Sequence, residues 1–311
     1  MANDLDSSNG LDSSNDLSCP SGLDKQDEVI LVTGANGVVG TPLINRLKAS
    51  GVEYLAVSRS SSQDKIRWDL EEPISPESTQ VLKRATSLIH CAPIWLLPDH
   101  LPTLRNIGIN RLVVFSSTSV ISKKASQSQQ EQKLVQLLVD AEAKISTYCR
   151  THKMGFTILR PSMIYGYGRD QNVSHIAGFI KKYSVMVLVG QAQGLRQPVH
   201  ADDLVNAALS LLSSCGNLQD TYNLAGQEVL TYRQMVERIF KGLNRPVRIL
   251  SLPLWLFRLG LWSASKLTKF NYTAQMADRM SHDLTYNNDR AMKDFSYSPQ
   301  SFLNNAQRDL P

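Results

Sequence analysis

The sequence predicts an α/β protein built on a doubly wound parallel sheet with a smaller lobe after it, and three observations carry that prediction. Short aliphatic runs of strand length recur along the first half of the chain, at residues 29–32, 53–57, 87–92, 111–115 and 156–159. Segments of helical period and short connections separate them, the pattern expected when each parallel strand is followed by a crossover. The first run passes at once into Thr33-Gly34-Ala35-Asn36-Gly37-Val38-Val39-Gly40, and an apolar-periodic segment through Leu43, Ile44 and Leu47 follows.

Strand, glycine turn and helix in that order bring free backbone N–H groups and the positive end of a helix dipole to one point, which suits a pyrophosphate. The glycines serve a tight turn, close approach of backbone to phosphate, and close packing of helix on strand. Their spacing (Gly34, Gly37, Gly40) differs from the G-x-G-x-x-G of many dehydrogenases, so the context of strand and helix carries the reading.

The remaining elements follow in order. Residues 1–27 repeat Asp, Ser, Asn, Leu and Gly and cannot bury enough apolar surface to offset ordering entropy, so a disordered tail is expected. The second strand, residues 53–57, ends in Ser58-Arg59-Ser60. An arginine with small hydroxyl residues accommodates a 2′-phosphate where an acid would bind the ribose hydroxyls, so Arg59 points to NADP, with NAD as the alternative. A solvated arginine at a strand end is the plainer reading of the same residue. Asp69, after the short strand at 66–70, is placed to face the adenine. Residues 87–92 form a buried strand whose end, at Ala92, lies beside the cofactor, and His90 reads as a packed strand histidine. Residues 111–115 deliver Ser116, Ser117, Thr118 and Ser119 to the carboxyl end of their strand, where ligands gather in open α/β sheets.

Residues 123–132 read as a loop. The long helix after it repeats Leu134, Leu138, Ala141, Ile145 and Cys149, and the strand at 156–159 runs into Arg160-Pro161. Further on, Asp202 or Asp203 is expected to cap a helix reaching Leu212. Thr231 caps the helix from Tyr232, with Gln234 completing a capping box. Residues 250–267 are apolar almost throughout, with Leu250, Leu252, Leu254, Trp255, Leu256, Phe257, Leu259, Leu261 and Trp262. A helix buried in the second lobe and an interfacial helix in peripheral contact with a membrane are both open readings.

Of 311 residues, 42% are hydrophobic and 20% charged, which suits a globular enzyme of two lobes. The net charge of +5 is modest, so no nucleic-acid partner is expected, and a polyanionic small ligand fits as well. Four separated cysteines give neither a metal motif nor a disulfide framework, and the polar N-terminus lacks the apolar stretch of a signal peptide. A reducing cytoplasm is the expected compartment.

With these blocks in hand, residues 28–303 resemble the extended short-chain dehydrogenase/reductase superfamily, in its NAD(P)-dependent, nucleoside-diphosphate-sugar epimerase/dehydratase branch. The resemblance rests on five ordered blocks: the glycine turn; Leu88-Ile89-His90-Cys91-Ala92; Phe115-Ser116-Ser117-Thr118; Leu159-Arg160-Pro161 through Tyr165-Gly166; and Arg196 through Val199-His200-Ala201-Asp202-Asp203-Leu204. It implies a Rossmann-type lobe over residues 28–168, with later strands near 198–224 interleaving, and a smaller C-terminal substrate lobe over 169–311. It implies cofactor contacts at Gly34, Asn36, Gly37, Val38, Gly40, Arg59, Asp69, Ala92, Ser116 and Pro161. Thr118 matches the family's catalytic Ser/Thr, and Arg196 matches an arginine that meets the substrate diphosphate, a role its planar fork suits. A homodimer through the long helix is also implied.

One departure is sharp. The family's Tyr-x-x-x-Lys pair falls on Leu134 and Leu138, and aliphatic side chains transfer no protons. Lys123, Lys124, Tyr165 and Tyr167 are the candidate replacements. Two functions follow: an atypical NAD(P)-dependent enzyme on a nucleotide-activated or lipid-linked sugar, or a catalytically inactive NAD(P)-binding sensor or assembly protein.

Overall fold

A computed structural model describes residues 28–59, 64–213, 219–253 and 280–311. The tail at 1–27 and most of the apolar stretch at 250–267 lie outside the described residues. The N-terminal elements are β1 (Ile30–Thr33), α1 (Gly40–Ala49), β2 (Tyr54–Ser58), β3 (Ile66–Arg67), α2 (Pro76–Leu82), β4 (Ser87–His90), α3 (Leu101–Asn106), β5 (Arg111–Phe115), α4 (Ser119–Ser122), α5 (Gln129–Thr151) and β6 (Gly155–Pro161). The later ones are β7 (Ile164–Tyr165), α6 (Val173–Tyr183), β8 (Met186–Val189), β9 (Leu195–Arg196), β10 (Val199–His200), α7 (Ala201–Ser213), β11 (Asp220–Leu224), β12 (Leu230–Thr231), α8 (Tyr232–Gly242), β13 (Ile249–Leu252), α9 (Asp289–Phe295) and α10 (Ala306–Asp309).

Seven strands form one parallel sheet in the order β11-β6-β5-β4-β1-β2-β3. The chain winds outward from β1 through β2 and β3, then returns to the other side of β1 at β4. This reversal opens a crevice at the carboxyl ends of β1 and β4, where ligands bind in such sheets. Period-two alternation sends successive side chains to opposite faces. Ile30, Val32, Ile89, Val113, Phe115 and Leu159 pack beneath α1 and α7. Leu31, Leu88, Leu112, Val114, Phe156 and Ile158 pack on the other face against Leu138, Ala141, Ile145 and Cys149 of α5. Burial on both faces is why these strands are aliphatic rather than alternating in polarity. A third core, with Tyr165, Ile176, Met186, Met235 and Phe240, lies among α6, β8 and α8.

Four expectations need correction. Residues 123–132 are not all loop, since α5 begins at Gln129. Neither Asp202 nor Asp203 is the cap of α7; both sit within its first turn. The cap is the buried imidazole of His200, whose Nδ1 accepts from the Asp202 N–H at 3.0 Å. Leu250 and Leu252 belong to β13, which pairs in parallel with β8, so no helix starts at Leu250. Arg160 lies within β6 rather than after it, and its guanidinium meets Glu142 of α5. The Thr231 capping box on α8 is present as read, with Gln234 N–H donating to Thr231 Oγ1 at 3.1 Å.

Candidate active site

The glycine turn is built by sterics. Gly34 has φ +66°, and a Cβ there would sit 2.5 Å from the Ala92 amide nitrogen. A Cβ on Gly40 would fall 2.1 Å from the Gly34 carbonyl oxygen, so only glycine lets α1 start this close to β1. Gly37 N–H donates to Gly34 O at 2.9 Å and closes the turn. Helix α1 has no side-chain cap and no acidic residue in its first turn. Thr41 N–H already donates to Gly37 O at 3.1 Å and Pro42 has no N–H, so what is left to an anion is the helix dipole with the N–H groups of Val38, Val39 and Gly40, which is what the pyrophosphate of a dinucleotide would engage.

Around the turn the side chains divide by what holds them. The Asn36 side chain accepts from Lys65 Nζ, and the Asn36 carbonyl accepts from Arg169 at 3.3 Å. Neither basic residue stood out in the sequence, because each arrives from a distant segment. Arg59 is exposed at the end of β2. Asp69 is half-buried and accepts from the Glu71 N–H at 3.1 Å. His90 is fully buried: Nδ1 pairs with Thr33 Oγ1 at 2.8 Å and Nε2 with Pro93 O at 3.3 Å. Burial pushes its pKa down to about 4, so it is neutral and structural, as the strand pattern suggested.

A cavity of about 1110 Å³ runs from Val38 of the turn past Ser117, Thr118, Ser119, Ser122 and Lys123, and on to Arg196, Tyr232 and Tyr286. It brings together the predicted Val38, Thr118 and Arg196. Thr118 is buried, and its hydroxyl donates to Pro161 O at 3.1 Å, leaving its lone pairs to accept from a ligand hydroxyl. The Ser116 hydroxyl donates to Glu142, which also accepts from Arg160 Nε at 2.9 Å. Ser116 and Pro161 thus hold the frame behind Thr118. Arg196 is buried, lies over the Tyr232 ring at 5.4 Å, and donates to the carbonyls of Leu195 and His282, both at 2.7 Å. Desolvation lowers its pKa, so an anion in the cavity would find a poorly hydrated cation.

The proton-transfer candidates separate sharply. Lys123 reaches the cavity and pairs with Glu131 at 3.2 Å. Tyr165 is buried away from it, its OH accepting from the Leu303 N–H at 3.1 Å, and burial raises its pKa. Burial and its hydrogen bond to Asp202 at 2.6 Å push the pKa of Tyr167 up to about 12. Lys124 is not among the residues lining the cavity. Leu138 is buried in the core beneath α5, with Leu134 packed against the same cluster, and neither lines the cavity. Among the described residues no cluster of His, Cys, Asp or Glu has metal-site geometry, and no helix is long and apolar enough to cross a membrane.

The family model described as "NAD dependent epimerase/dehydratase family" matches residues 30–94 and 100–225, which spans β1 to β11 and carries the turn, Thr118 and Arg196. The chain belongs to that family. Among curated relatives, a dTDP-4-dehydro-6-deoxy-D-allose reductase of a Streptomyces species is 23% identical over 271 residues, covering 71% of this chain and 82% of the relative. A UDP-glucose 4-epimerase of Vibrio cholerae is 21% identical over 268 residues, covering 76% and 82%. A mitochondrial NADH dehydrogenase [ubiquinone] 1 alpha subcomplex subunit 9 of Dictyostelium discoideum is 24% identical over 248 residues, covering 70% and 67%. The fold matches the UDP-glucuronic acid 4-epimerase of Bacillus cereus, with a TM-score of 0.68, 15% identity, and coverage of 90% of this chain and 97% of that one. An epimerase/dehydratase fold with a Rossmann-type sheet is thus established, together with a family chemistry that uses a nicotinamide dinucleotide.

Proposed function

We propose that the chain is an NAD(P)-dependent oxidoreductase or epimerase acting on a nucleotide-activated sugar, with non-standard acid/base residues. The observation that carries this reading is the single cavity joining Val38, Thr118 and Arg196. A family member kept only to hold a dinucleotide has no need of a buried arginine at the far end of such a cavity. A bound nicotinamide supplies hydride acceptance and return. The Gly34–Gly40 turn, with Asn36 and Ala92, holds the dinucleotide; Thr118 accepts a hydrogen bond from the reacting hydroxyl, and Arg196 takes the substrate diphosphate. Of Lys123, Lys124, Tyr165 and Tyr167, Lys123 lines the cavity with Thr118, is paired with Glu131, and is assigned the proton transfer normally given to tyrosine. Arg59, with Lys65 on the Asn36 side chain, supports NADP over NAD.

A homodimer through α5 belongs to the same reading, supported by the exposed Leu137 and Val139 on that helix. A lipid-linked sugar and membrane contact through 250–267 retain only the sequence argument, with Leu250 and Leu252 assigned to β13. The second reading is a catalytically inactive dinucleotide-binding sensor or assembly protein. Leu134 and Leu138 favour it directly, and one relative is named as a subunit, NADH dehydrogenase [ubiquinone] 1 alpha subcomplex subunit 9.

The test has two arms. NADPH and NADH are titrated by nicotinamide fluorescence into wild type and Arg59→Asp, and a panel of sugar nucleotides is assayed with wild type and Thr118→Ala. Tight NADPH binding that shifts toward NADH in Arg59→Asp, with turnover lost in Thr118→Ala, is expected. Cofactor binding without any turnover across the panel refutes the enzyme and leaves the second reading.

A further inference from the structure

Arg169 is exposed to solvent and lies near the positive end of a helix dipole. It follows β7, far from the glycine turn in sequence, yet its guanidinium donates to Thr41 Oγ1 at 2.9 Å and to the Asn36 carbonyl at 3.3 Å. Thr41 lies in the first turn of α1 and Asn36 in the glycine turn before it, beside the positive end of that helix dipole, where anions are favoured and cations are not. Arg84, Arg160, Arg238, Arg290 and Arg308 each meet a carboxylate. No carboxylate among the described residues pairs with Arg169.

The segment that carries it is held at some cost. Gly166, Tyr167 and Gly168 all have positive φ (+138°, +59° and +63°), and Tyr167 is a bulky residue in a conformation that side chains disfavour. The Tyr167 OH donates to Asp202, and the Arg308 guanidinium lies 5.2 Å over its ring. Gly168 N–H donates to Asp309 O at 3.0 Å, and a Cβ there would press on Pro311. Asp309 in turn accepts from buried His200 at 3.0 Å and from Arg308 at 2.7 Å. On the other side, Asp170 accepts from the N–H groups of Asn172 and Ser174 and fixes the start of α6. Arg169 is thereby aimed from a braced bend.

We infer that Arg169 is a clamp for the dinucleotide pyrophosphate, reaching the glycine turn from the bend between β7 and α6. The inference rests on the dinucleotide-binding reading and names a residue for it. Two like fields, the helix N-terminus and the guanidinium, converge on one spot, and a diphosphate neutralises both. A guanidinium also offers two N–H groups at once to phosphate oxygens, which an ammonium cannot do.

NADH and NADPH are titrated by nicotinamide fluorescence into full-length wild type, Arg169→Ala, Arg169→Gln and Arg169→Lys, with ADP-ribose as competitor. Thermal melting without ligand is the folding check. Arg169→Gln keeps a donor for Thr41 and Asn36 while losing the charge, so it serves if Arg169→Ala unfolds. Loss of a charge-assisted contact weakens binding about 10- to 100-fold. The expected result is that NADH, NADPH and ADP-ribose weaken alike in Arg169→Gln and less in Arg169→Lys, with unliganded melting unchanged. Wild-type affinity in Arg169→Gln overturns the inference while leaving the cofactor reading intact. Weakening confined to NADPH overturns it in favour of a 2′-phosphate contact. If wild type itself binds no dinucleotide, the cofactor reading fails and the clamp falls with it.

Discussion

Acidification should loosen this protein through one residue beneath the glycine turn. His90 ends β4 and joins it to β1 through Thr33 Oγ1, with Nδ1 accepting while Nε2–H donates to Pro93 O. That pairing fits the neutral ring with its proton on Nε2. Burial holds the folded-state pKa at about 4, below the ordinary 6.5. The unfolded chain therefore binds a proton more readily than the folded one between those values, and stability rises with pH across that window. The contribution is complete above 6.5 and lost as pH falls toward 4. At about 1.36 kcal/mol per unit, the full interval is worth about 3 kcal/mol, of which about 2 kcal/mol is lost between pH 7.5 and pH 5.

Urea unfolding at fixed ionic strength, followed by tryptophan fluorescence, measures this at both pH values. Other titrating groups contribute too, so the decisive quantity is the difference from His90→Asn, which keeps an acceptor near Nδ1 and cannot titrate. Wild type should lose about 2 kcal/mol more than the variant over the interval. Equal losses in the two proteins would refute the reasoning.

Two further outcomes follow from the same frame. Gly40→Ala drives a methyl toward the Gly34 carbonyl, so it should cost about 2 kcal/mol in thermal or urea unfolding and weaken dinucleotide binding in fluorescence titration; unchanged affinity would contradict the account of the turn. Glu142→Ala leaves the Arg160 guanidinium without its carboxylate behind Thr118 and should cost about 3 kcal/mol in urea unfolding; a loss below about 1 kcal/mol would show that water replaces the pair.

Local signals were readable in the residues, and tertiary ones were not. The glycine turn, the aliphatic strands and the Thr231 box each depend on neighbours within a few positions, so their chemistry is written in adjacent letters. Lys65 and Arg169 reach the turn only because β3 and the bend after β7 are brought there by crossovers. His200 displaces Asp202 and Asp203 as cap because a buried imidazole, fixed by Asp309 far along the chain, occupies the position first. Leu250 and Leu252 were apolar enough for a helix, but pairing with β8 supplies their backbone partners and makes them a strand. Leu134 and Leu138 stand out in the sequence because two aliphatic residues occupy positions where the resemblance implies tyrosine and lysine. Leu138 is buried in the core beneath α5 and Leu134 packs against it, which explains why aliphatic residues are stable there.

The strand β11 has a consequence for how this protein can be divided. It is the outermost member of the large sheet, hydrogen-bonded to β6 from Asp220 to Leu224, yet it is made only after β7 to β10, α6 and α7. A fragment stopped at residue 168 would keep the glycine turn and Thr118 but leave β6 with a bare row of backbone donors and acceptors. Such an open flank recruits other chains, so the fragment is expected to self-associate rather than stand as a module. The chain up to residue 168 and the chain after it thus share one sheet, and experiments that probe dinucleotide binding are better done by point substitution than by truncation.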